Sequence, residues 1–234
     1  MERTRTHGAL TIAHEVPYHV DCPPITDPGA RFETLMLLHG MGETPAFMRK
    51  RLGALAEGRI IVYPRAPWPF EVRNGDNNRI GFAWYVFSGD QQLLREGMEL
   101  SAGHLAAIMA AVAAKHPVDP ERTRLIGFSQ GGYLAPFAAA THAGAFRAAA
   151  SLSGRIKHEF LSDTPAETKE RLPLLHVHGG GDARVLPGPA RDSVEACRTM
   201  GFMQVEYHEV PGAGHEVTAP MVEIVKEWLG RIET

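Results

Sequence analysis

A serine framed by two glycines, in Gly127-Phe128-Ser129-Gln130-Gly131, constrains the fold of this chain more than any other feature. A strand-like run at 124–126 precedes it, and an apolar run rich in small residues at 132–135 follows it. In a turn this tight between strand and helix the serine is strained, and Cβ atoms two positions to either side would collide. The pattern predicts a hydroxyl held above a sheet, before a helix N-terminus that favours negative charge. The alternative is a glycine-rich turn that contains a serine by chance.

Strand-like and helix-like segments alternate along the chain, which predicts a mostly parallel central sheet with helices on both faces. Strands are predicted at 32–38, 59–63, 124–126, 146–151, 174–177 and 203–210, and helices at 44–57, 88–115, 189–200 and 218–232, after an N-terminal hairpin within 10–20. Ser88 and Gln91 form a predicted capping box for the longest helix. Pro136 should kink or shorten the helix that follows Ser129. No linker or repeat interrupts the pattern, so residues 1–234 are expected to form a single α/β domain.

Net charge, apolar runs and cysteine count limit the functions that this chain is expected to have. A net charge of −3 over 234 residues gives no reason to expect nucleic acid or an anionic membrane as a partner. The polar first residues lead into no apolar signal core, and no apolar run approaches the roughly 18 residues that span a bilayer. Cys22 and Cys197 are too few for a disulfide framework, although one disulfide between them stays open. We expect a cytoplasmic enzyme without an integral membrane span, and a homo-oligomer is compatible with the sequence.

A serine in such a turn needs an imidazole base that is itself oriented by a carboxylate, because its alkoxide is too basic to form unaided near neutral pH. Asp182 follows the predicted strand 174–177, and His215 follows the strand that ends near residue 210. Loops at the carboxyl ends of parallel strands share one edge of the sheet. Taken singly, Asp182 fits a solvated turn residue better than a catalytic one, and His215, one of 12 histidines, fits a helix-capping or surface residue. Because strand, loop position and order agree, we expect Ser129, Asp182 and His215 to meet.

The loop after the first buried strand, His39-Gly40-Met41-Gly42, has the composition of an oxyanion hole. Its glycines allow the backbone to approach a substrate, and the N–H groups of Met41 and Gln130 are the two expected donors. The alternative is a plain glycine turn before a helix.

His176 and His178 share one face of a predicted strand and together suggest a zinc site. A structural zinc site needs four ligands, yet Asp182 is the one further ligand at typical spacing in this loop. We therefore expect no metal at this site.

The segment 64–90 is long for a connection, which favours a lid or a pocket wall. It holds six of the 18 aromatic residues of the chain. We expect Trp68, Phe82 and Trp84 to line an apolar acyl or aromatic-ester pocket beside Ser129. The alternative is that these aromatic side chains cap the edge of the core.

Five motifs, in order along the chain, resemble those of the phospholipase/carboxylesterase family of α/β-hydrolases, which includes acyl-protein thioesterases. They lie at 38–44, 63–67, 127–132, 178–182 and 214–216, within a resemblance that runs from about residue 33 to the C-terminus. The resemblance implies the α/β-hydrolase fold and a serine hydrolase without a cofactor. It also implies Ser129 as the nucleophile, His215 as the base and Asp182 as the orienting carboxylate. Where the family commonly has Trp-Phe-Asp, this chain has Trp84-Tyr85-Val86 and lacks the acid.

Three functions follow from these observations. The leading expectation is an esterase that cleaves small to medium soluble esters through an acyl-enzyme. The first alternative is a thioesterase or lysophospholipase acting on long acyl chains. The second is a non-catalytic binding protein that retains the hydrolase fold, and the presence of the serine, the aspartate and the histidine argues against it.

Overall fold

Strands and helices alternate in the computed structural model, which describes residues 14–75 and 77–232. The strands are β1 (Tyr18–Asp21), β2 (Phe32–Leu38), β3 (Ile60–Pro64), β4 (Trp68–Asn74), β5 (Asn77–Ala83), β6 (Val118–Phe128), β7 (Ala148–Leu152), β8 (Leu174–Gly179) and β9 (Val205–Val210). The helices are α1 (Pro45–Leu52), α2 (Gln91–Ala113), α3 (Gln130–Thr141), α4 (Ala166–Arg171), α5 (Pro187–Thr199) and α6 (Ala219–Arg231).

Seven of the strands form one sheet in the order β1-β3-β2-β6-β7-β8-β9. Every neighbouring pair is parallel except β1 with β3, where Tyr18 lies opposite Pro64 in an antiparallel register. The middle of the sheet is buried on both faces, so β2 has an almost continuous apolar sequence rather than an alternating one. The predicted mostly parallel α/β sheet is confirmed, and β2, β6, β8 and β9 all end at the same edge.

Two apolar layers cover the sheet. Side chains of α2, α3 and α5 pack on one face, for example Met98, Phe137 and Val194. Side chains of α1 and α6 pack on the other face, where Leu52 and Trp228 are buried. Among the described helices, none is both long and apolar enough to cross a membrane.

Two local expectations are wrong. The described part of the predicted N-terminal hairpin is the single strand β1, which pairs with β3 instead, and residues 10–13 lie outside the described residues. Helix α2 is capped by Asp90, not by Ser88, because the Asp90 carboxylate accepts hydrogen bonds from the N–H groups of Gln92 and Leu93. Pro136 lies inside α3, which continues beyond it to Thr141.

The segment 64–90 is not a long loop, because most of it forms an antiparallel hairpin of β4 and β5. Trp68 lies opposite Ala83 at its base, and Asn74 lies opposite Asn77 at its tip. Gly75 lies at this tip with a φ of 56°, in the left-handed region that favours glycine, and is the sequence signal for the turn. An isolated bridge between Glu43 and Phe82 joins the hairpin to the loop after β2.

The two cysteines are unpaired in the structure. Cys22 is exposed, whereas Cys197 is buried on the inner face of α5. Burial raises the pKa of the Cys197 thiol to about 12, so this side chain is a neutral part of the core.

Candidate active site

Ser129 occupies a strained turn directly after β6. Its backbone angles are φ 52° and ψ −116°, which place a non-glycine residue at positive φ. A Cβ atom on Gly127 would lie 1.9 Å from the carbonyl oxygen of Gly131, and one on Gly131 would lie 2.4 Å from that of Leu38. Both glycines are therefore required by the close approach of backbone to backbone.

Helix α3 begins immediately behind this serine. The N–H of Tyr133 donates to the carbonyl oxygen of Ser129 at 3.0 Å and so forms the first hydrogen bond of the helix. The N–H groups of the first turn, including that of Gln130, have no carbonyl partner within the helix. They form a site with positive potential next to the serine hydroxyl.

The three residues expected to meet do lie together. Ser129 Oγ is 2.9 Å from His215 Nε2, and His215 Nδ1 is 2.7 Å from Asp182 Oδ2. Both distances are within hydrogen-bonding range. The first suits a nucleophile and its base, and the second suits a base and the carboxylate that orients it. The Phe128 ring packs against the His215 ring, with centroids 5.1 Å apart. The imidazole is thus held between an aromatic face and a carboxylate, with one nitrogen directed at the serine.

Asp182 is held by its own loop as well as by His215. Its Oδ1 accepts hydrogen bonds from the N–H groups of Arg184, at 2.9 Å, and Val185, at 3.0 Å. Burial alone would raise the pKa of this carboxyl group. The hydrogen bonds from His215 and from the two backbone N–H groups outweigh burial and lower that pKa below its usual value. Asp182 is therefore ionised at neutral pH, with one oxygen left to orient the imidazole.

The side chains of His176 and His178 are hydrogen-bonded to each other. His178 Nε2 donates to the carbonyl oxygen of Val185 at 2.7 Å, which leaves Nδ1 to accept from His176 Nε2 at 3.1 Å. Burial, with a smaller contribution from His178, lowers the pKa of His176 to about 3. Within the described residues no group of three metal-binding side chains is found.

Glu43 braces the loop after β2. Its Oε2 accepts from the N–H of Gly40 at 3.0 Å, and its Oε1 accepts from Arg51 at 2.6 Å. These contacts of Glu43 were not predicted, because a carboxylate five residues past the end of a strand does not indicate its partner in the sequence. The one indication of its role in the sequence is its position inside the motif at 38–44.

Strand β5 holds the same loop from the other side. The N–H of Gly42 donates to the carbonyl oxygen of Phe82 at 2.9 Å, and the N–H of Phe82 donates to that of Glu43 at 3.0 Å. Gly81 approaches so closely that a Cβ atom there would lie 1.9 Å from the carbonyl oxygen of Gly42. The N–H of Met41, in contrast, has no acceptor among the described residues.

Trp84 lies beneath the site and does not line it, which corrects our expectation. The side chain is completely buried, and its Nε1 donates to the carbonyl oxygen of His39 at 2.8 Å. Its backbone N–H donates to Gln130 Oε1 at 2.9 Å. The N–H of Ala66 donates to His39 Nε2, and burial lowers the pKa of His39 to about 4. An indole with a buried N–H is placed by its hydrogen-bond partner, which the sequence does not identify.

Phe82 and Trp68 also lie outside the cavity at Ser129. The Phe82 ring packs under the guanidinium of Arg65, 4.5 Å from its centroid. Trp68 is 42% exposed and stacks on His14 at the outer face of the hairpin. All three predicted pocket residues are therefore wrong as lining residues, because none of them contributes to the cavity beside Ser129.

A cavity of about 630 Å³ opens beside Ser129. Its apolar and aromatic wall consists of Met41, Tyr85, Phe87, Leu94, Tyr133 and Val185. Its polar wall includes Gln91, Arg155, Lys157, Glu159 and Arg184. The polar wall was not predicted from the sequence. Residues 155–159 follow the carboxyl end of β7, and residue 184 follows the carboxyl end of β8. Binding sites in parallel sheets form at such positions.

Comparison with known proteins agrees with this architecture. A family model described as phospholipase/carboxylesterase matches residues 22–232. Acyl-protein thioesterase 1 of Gibberella zeae is 26% identical over 213 residues, which cover 84% of this chain and 88% of that protein.

Two crystal structures resemble the whole fold. Esterase PE8 superposes with a TM-score of 0.73 at 23% identity, covering 93% of this chain and 99% of that one. A carboxylesterase from Mesorhizobium loti superposes with a TM-score of 0.71 at 22% identity, covering 92% and 94%. Identities this low show the fold alone, and the predicted α/β-hydrolase fold is confirmed.

Proposed function

The chain belongs to the phospholipase/carboxylesterase family and is a carboxylic ester hydrolase, and we propose that Ser129, His215 and Asp182 carry its reaction. The observation that carries this assignment is the hydrogen-bonded series from Ser129 Oγ through the His215 ring to Asp182 Oδ2, at 2.9 and 2.7 Å. The proposed reaction is acyl transfer through a covalent acyl-enzyme.

In the first step His215 Nε2 takes the hydroxyl proton while Ser129 Oγ attacks the ester carbonyl carbon. The carbonyl π electrons move onto oxygen, and the resulting oxyanion accepts hydrogen bonds from the N–H groups of Met41 and Gln130. Asp182 remains ionised and stabilises the imidazolium that forms. The strained turn supports this role because it places Ser129 directly before the N-terminus of α3.

In the second step the oxyanion collapses and the bond to the leaving alkoxide breaks. The alkoxide takes the proton from His215 Nε2, and the acyl group remains esterified to Ser129. Water then enters, gives its proton to the same nitrogen and releases the carboxylic acid by the reverse sequence. These side chains and N–H groups supply every proton transfer and charge stabilisation in the scheme, so we propose that no cofactor takes part.

The cavity supports substrates of small to medium size. A volume of about 630 Å³ is ordinary for a small-molecule site, and Met41, Phe87 and Leu94 offer it an apolar wall. A thioesterase remains the second candidate, because the relative from Gibberella zeae is named an acyl-protein thioesterase. The same acyl-enzyme serves both bonds, with a thiolate in place of the alkoxide as leaving group.

We further propose that residues 1–234 form one domain that acts in the cytoplasm. Within it the β4–β5 hairpin supports the site without lining the cavity, because β5 holds the loop that contains Met41. Of the two roles expected for the segment 64–90, we propose that of a pocket wall, because Tyr85 and Phe87 line the cavity.

Hydrolysis of p-nitrophenyl esters from acetate to palmitate, beside a matched series of thioesters, tests the proposed function. We expect ester cleavage with an optimum at short to medium chains, and its loss in Ser129→Ala. A protein that binds these esters without turnover would instead be a non-catalytic member of the fold.

A further inference from the structure

The cavity beside Ser129 carries an excess of positive charge. Arg155, Lys157 and Arg184 line it, whereas Glu159 is the one carboxylate on its wall among the described residues. The local balance is therefore about +2 at neutral pH by the ordinary charges of these groups. The whole chain has a net charge of −3, so this concentration of cations does not follow from composition.

Lys157 is the most buried of these cations. The residue is 6% exposed, and its Nζ lies 3.1 Å from Gln91 Oε1, 3.4 Å from Glu159 Oε1 and 4.7 Å from the centroid of the Phe160 ring. A buried ammonium group is costly unless it is paired. Here its one carboxylate partner is shared, since Glu159 Oε1 also pairs with Arg155.

Glu159 cannot by itself neutralise both Arg155 and Lys157. Burial would raise the pKa of its carboxyl group, but a hydrogen bond from its own N–H and the charges of Arg155 and Lys157 lower that pKa below its usual value. The carboxylate is thus fully ionised at neutral pH and still faces two cations. One positive charge of this trio remains uncompensated.

Arg184 adds a second uncompensated charge to the lining of the same cavity. Its backbone is fixed at the catalytic loop, because its N–H donates to Asp182 Oδ1 at 2.9 Å. Its guanidinium forms no ion pair among the described residues, although the same cavity contains it. A guanidinium offers paired N–H donors that match a carboxylate.

We propose that the preferred substrates are esters or thioesters bearing a second, ionised carboxylate, which Arg184, Lys157 and Arg155 bind while the reacting carbonyl lies at Ser129. This inference rests on the proposed serine-hydrolase function and specifies its substrate class. The apolar wall accommodates a hydrocarbon spacer between the two groups. The carboxylate belongs either to the acyl chain or to the leaving alcohol, and the experiment below separates the two.

Matched substrates test the preference. For the acyl side, the mono-p-nitrophenyl ester of adipic acid is compared with its neutral methyl ester and with p-nitrophenyl hexanoate. For the alcohol side, the hexanoate of para-hydroxybenzoate is compared with the hexanoate of the corresponding benzamide. In one of the two arms we expect kcat/KM to favour the anionic substrate by about tenfold or more, in the range of a charge-assisted hydrogen bond.

Two variants test whether the cations of the cavity cause this preference for anionic substrates. Arg184→Gln and Lys157→Met should each reduce the ratio of anionic to neutral kcat/KM by about three- to tenfold. Arg184→Gln changes an exposed side chain, so it tests the proposal even if Lys157→Met fails to fold. The matched control is Arg171→Gln, an exposed arginine on α4, which should leave the ratio unchanged.

The outcomes are distinguishable. If anionic and neutral substrates have equal kcat/KM on both the acyl side and the alcohol side, the proposed substrate class is overturned. The proposal that the protein is a serine esterase is then unaffected. If Arg184→Gln slows charged and neutral substrates alike, the cations act on the reacting carbonyl and the proposal fails. Absence of hydrolysis for every ester overturns both the substrate class and the proposed function.

Discussion

His178 donates a hydrogen bond from Nε2 to the carbonyl oxygen of Val185 at 2.7 Å, across the loop that presents Asp182. The same Nε2 lies 3.5 Å from Asp182 Oδ2, and the Val185 N–H donates to Asp182 Oδ1 at 3.0 Å. One histidine on β8 therefore fixes the far end of the loop whose near end holds the proposed orienting carboxylate. His178 is a positioning residue in this arrangement, since it does not contact Ser129 or His215.

This relationship predicts unequal effects of two substitutions. His178→Phe leaves the Val185 carbonyl without its donor, which costs about 1–3 kcal/mol of unfolding free energy. It should also lower kcat by about tenfold or more through misplacement of Asp182. His178→Gln retains an N–H near the same position and should restore much of kcat. Equal loss in both variants, measured by steady-state kinetics and urea unfolding, would contradict a role based on this hydrogen bond.

Ser129→Ala should fold normally and lose roughly 10⁴ to 10⁶ in kcat, because the serine and its base act as a unit. An organophosphonate should label Ser129 and no other serine. Tryptic mass mapping checks the position of the adduct, and an adduct on a different serine would refute the assignment.

Asp182→Asn should reduce kcat by about 10⁴, because an amide favours the wrong tautomer of His215. Glu216 provides the matched control, since it is exposed and adjacent to the same histidine. Glu216→Gln should retain nearly full activity. The reverse result, with activity lost in Glu216→Gln and kept in Asp182→Asn, would mean that the carboxylate is misassigned.

Trp84→Ala should destabilise the protein by about 3 to 5 kcal/mol, the usual cost of emptying a buried aromatic site. It should scale the activity on all ester lengths alike, because Trp84 does not line the cavity. Trp68→Ala removes a partly exposed ring and is the control, with a change within about 1 kcal/mol. Urea unfolding and the chain-length profile of the same variants check this prediction. A shifted optimum without loss of stability would return Trp84 to the pocket wall.

Stability should fall as the pH falls below about 6.5, the pKa of a histidine in an unfolded chain. Burial lowers the pKa of His39 to about 4 and that of His176 to about 3. The unfolded chain binds these protons first, so the contribution is complete above pH 6.5 and is lost as the pH falls through the folded values.

Each of the two histidines should remove about 1.4 kcal/mol of unfolding free energy per pH unit in this window. Urea unfolding at several pH values measures the slope, and His176→Gln should reduce it. An identical slope in wild type and His176→Gln would show that His176 does not contribute.

The positions of Ser129, Asp182 and His215 could be predicted because each follows a recognisable strand of the parallel sheet. Parallel strands bring their carboxyl ends to one edge whatever the loops contain. The cavity wall could not be predicted in this way. Trp84 is turned inward by an indole hydrogen bond to the His39 carbonyl, and Lys157 reaches the wall from an irregular segment after β7. Such orientations depend on contacts between distant segments, which periodicity does not encode.

The contact between Gly81 and Gly42 has a consequence for local opening. The hairpin and the loop around Met41 share backbone hydrogen bonds, with no room for a side chain at Gly81. They should therefore detach and re-form as a single cooperative unit, with amide hydrogen exchange at Gly42 and Phe82 governed by one opening event. Since that event displaces the Met41 N–H, the enzyme should switch off during the opening while the seven-stranded sheet stays intact. Inactivation on mild warming should then precede global melting.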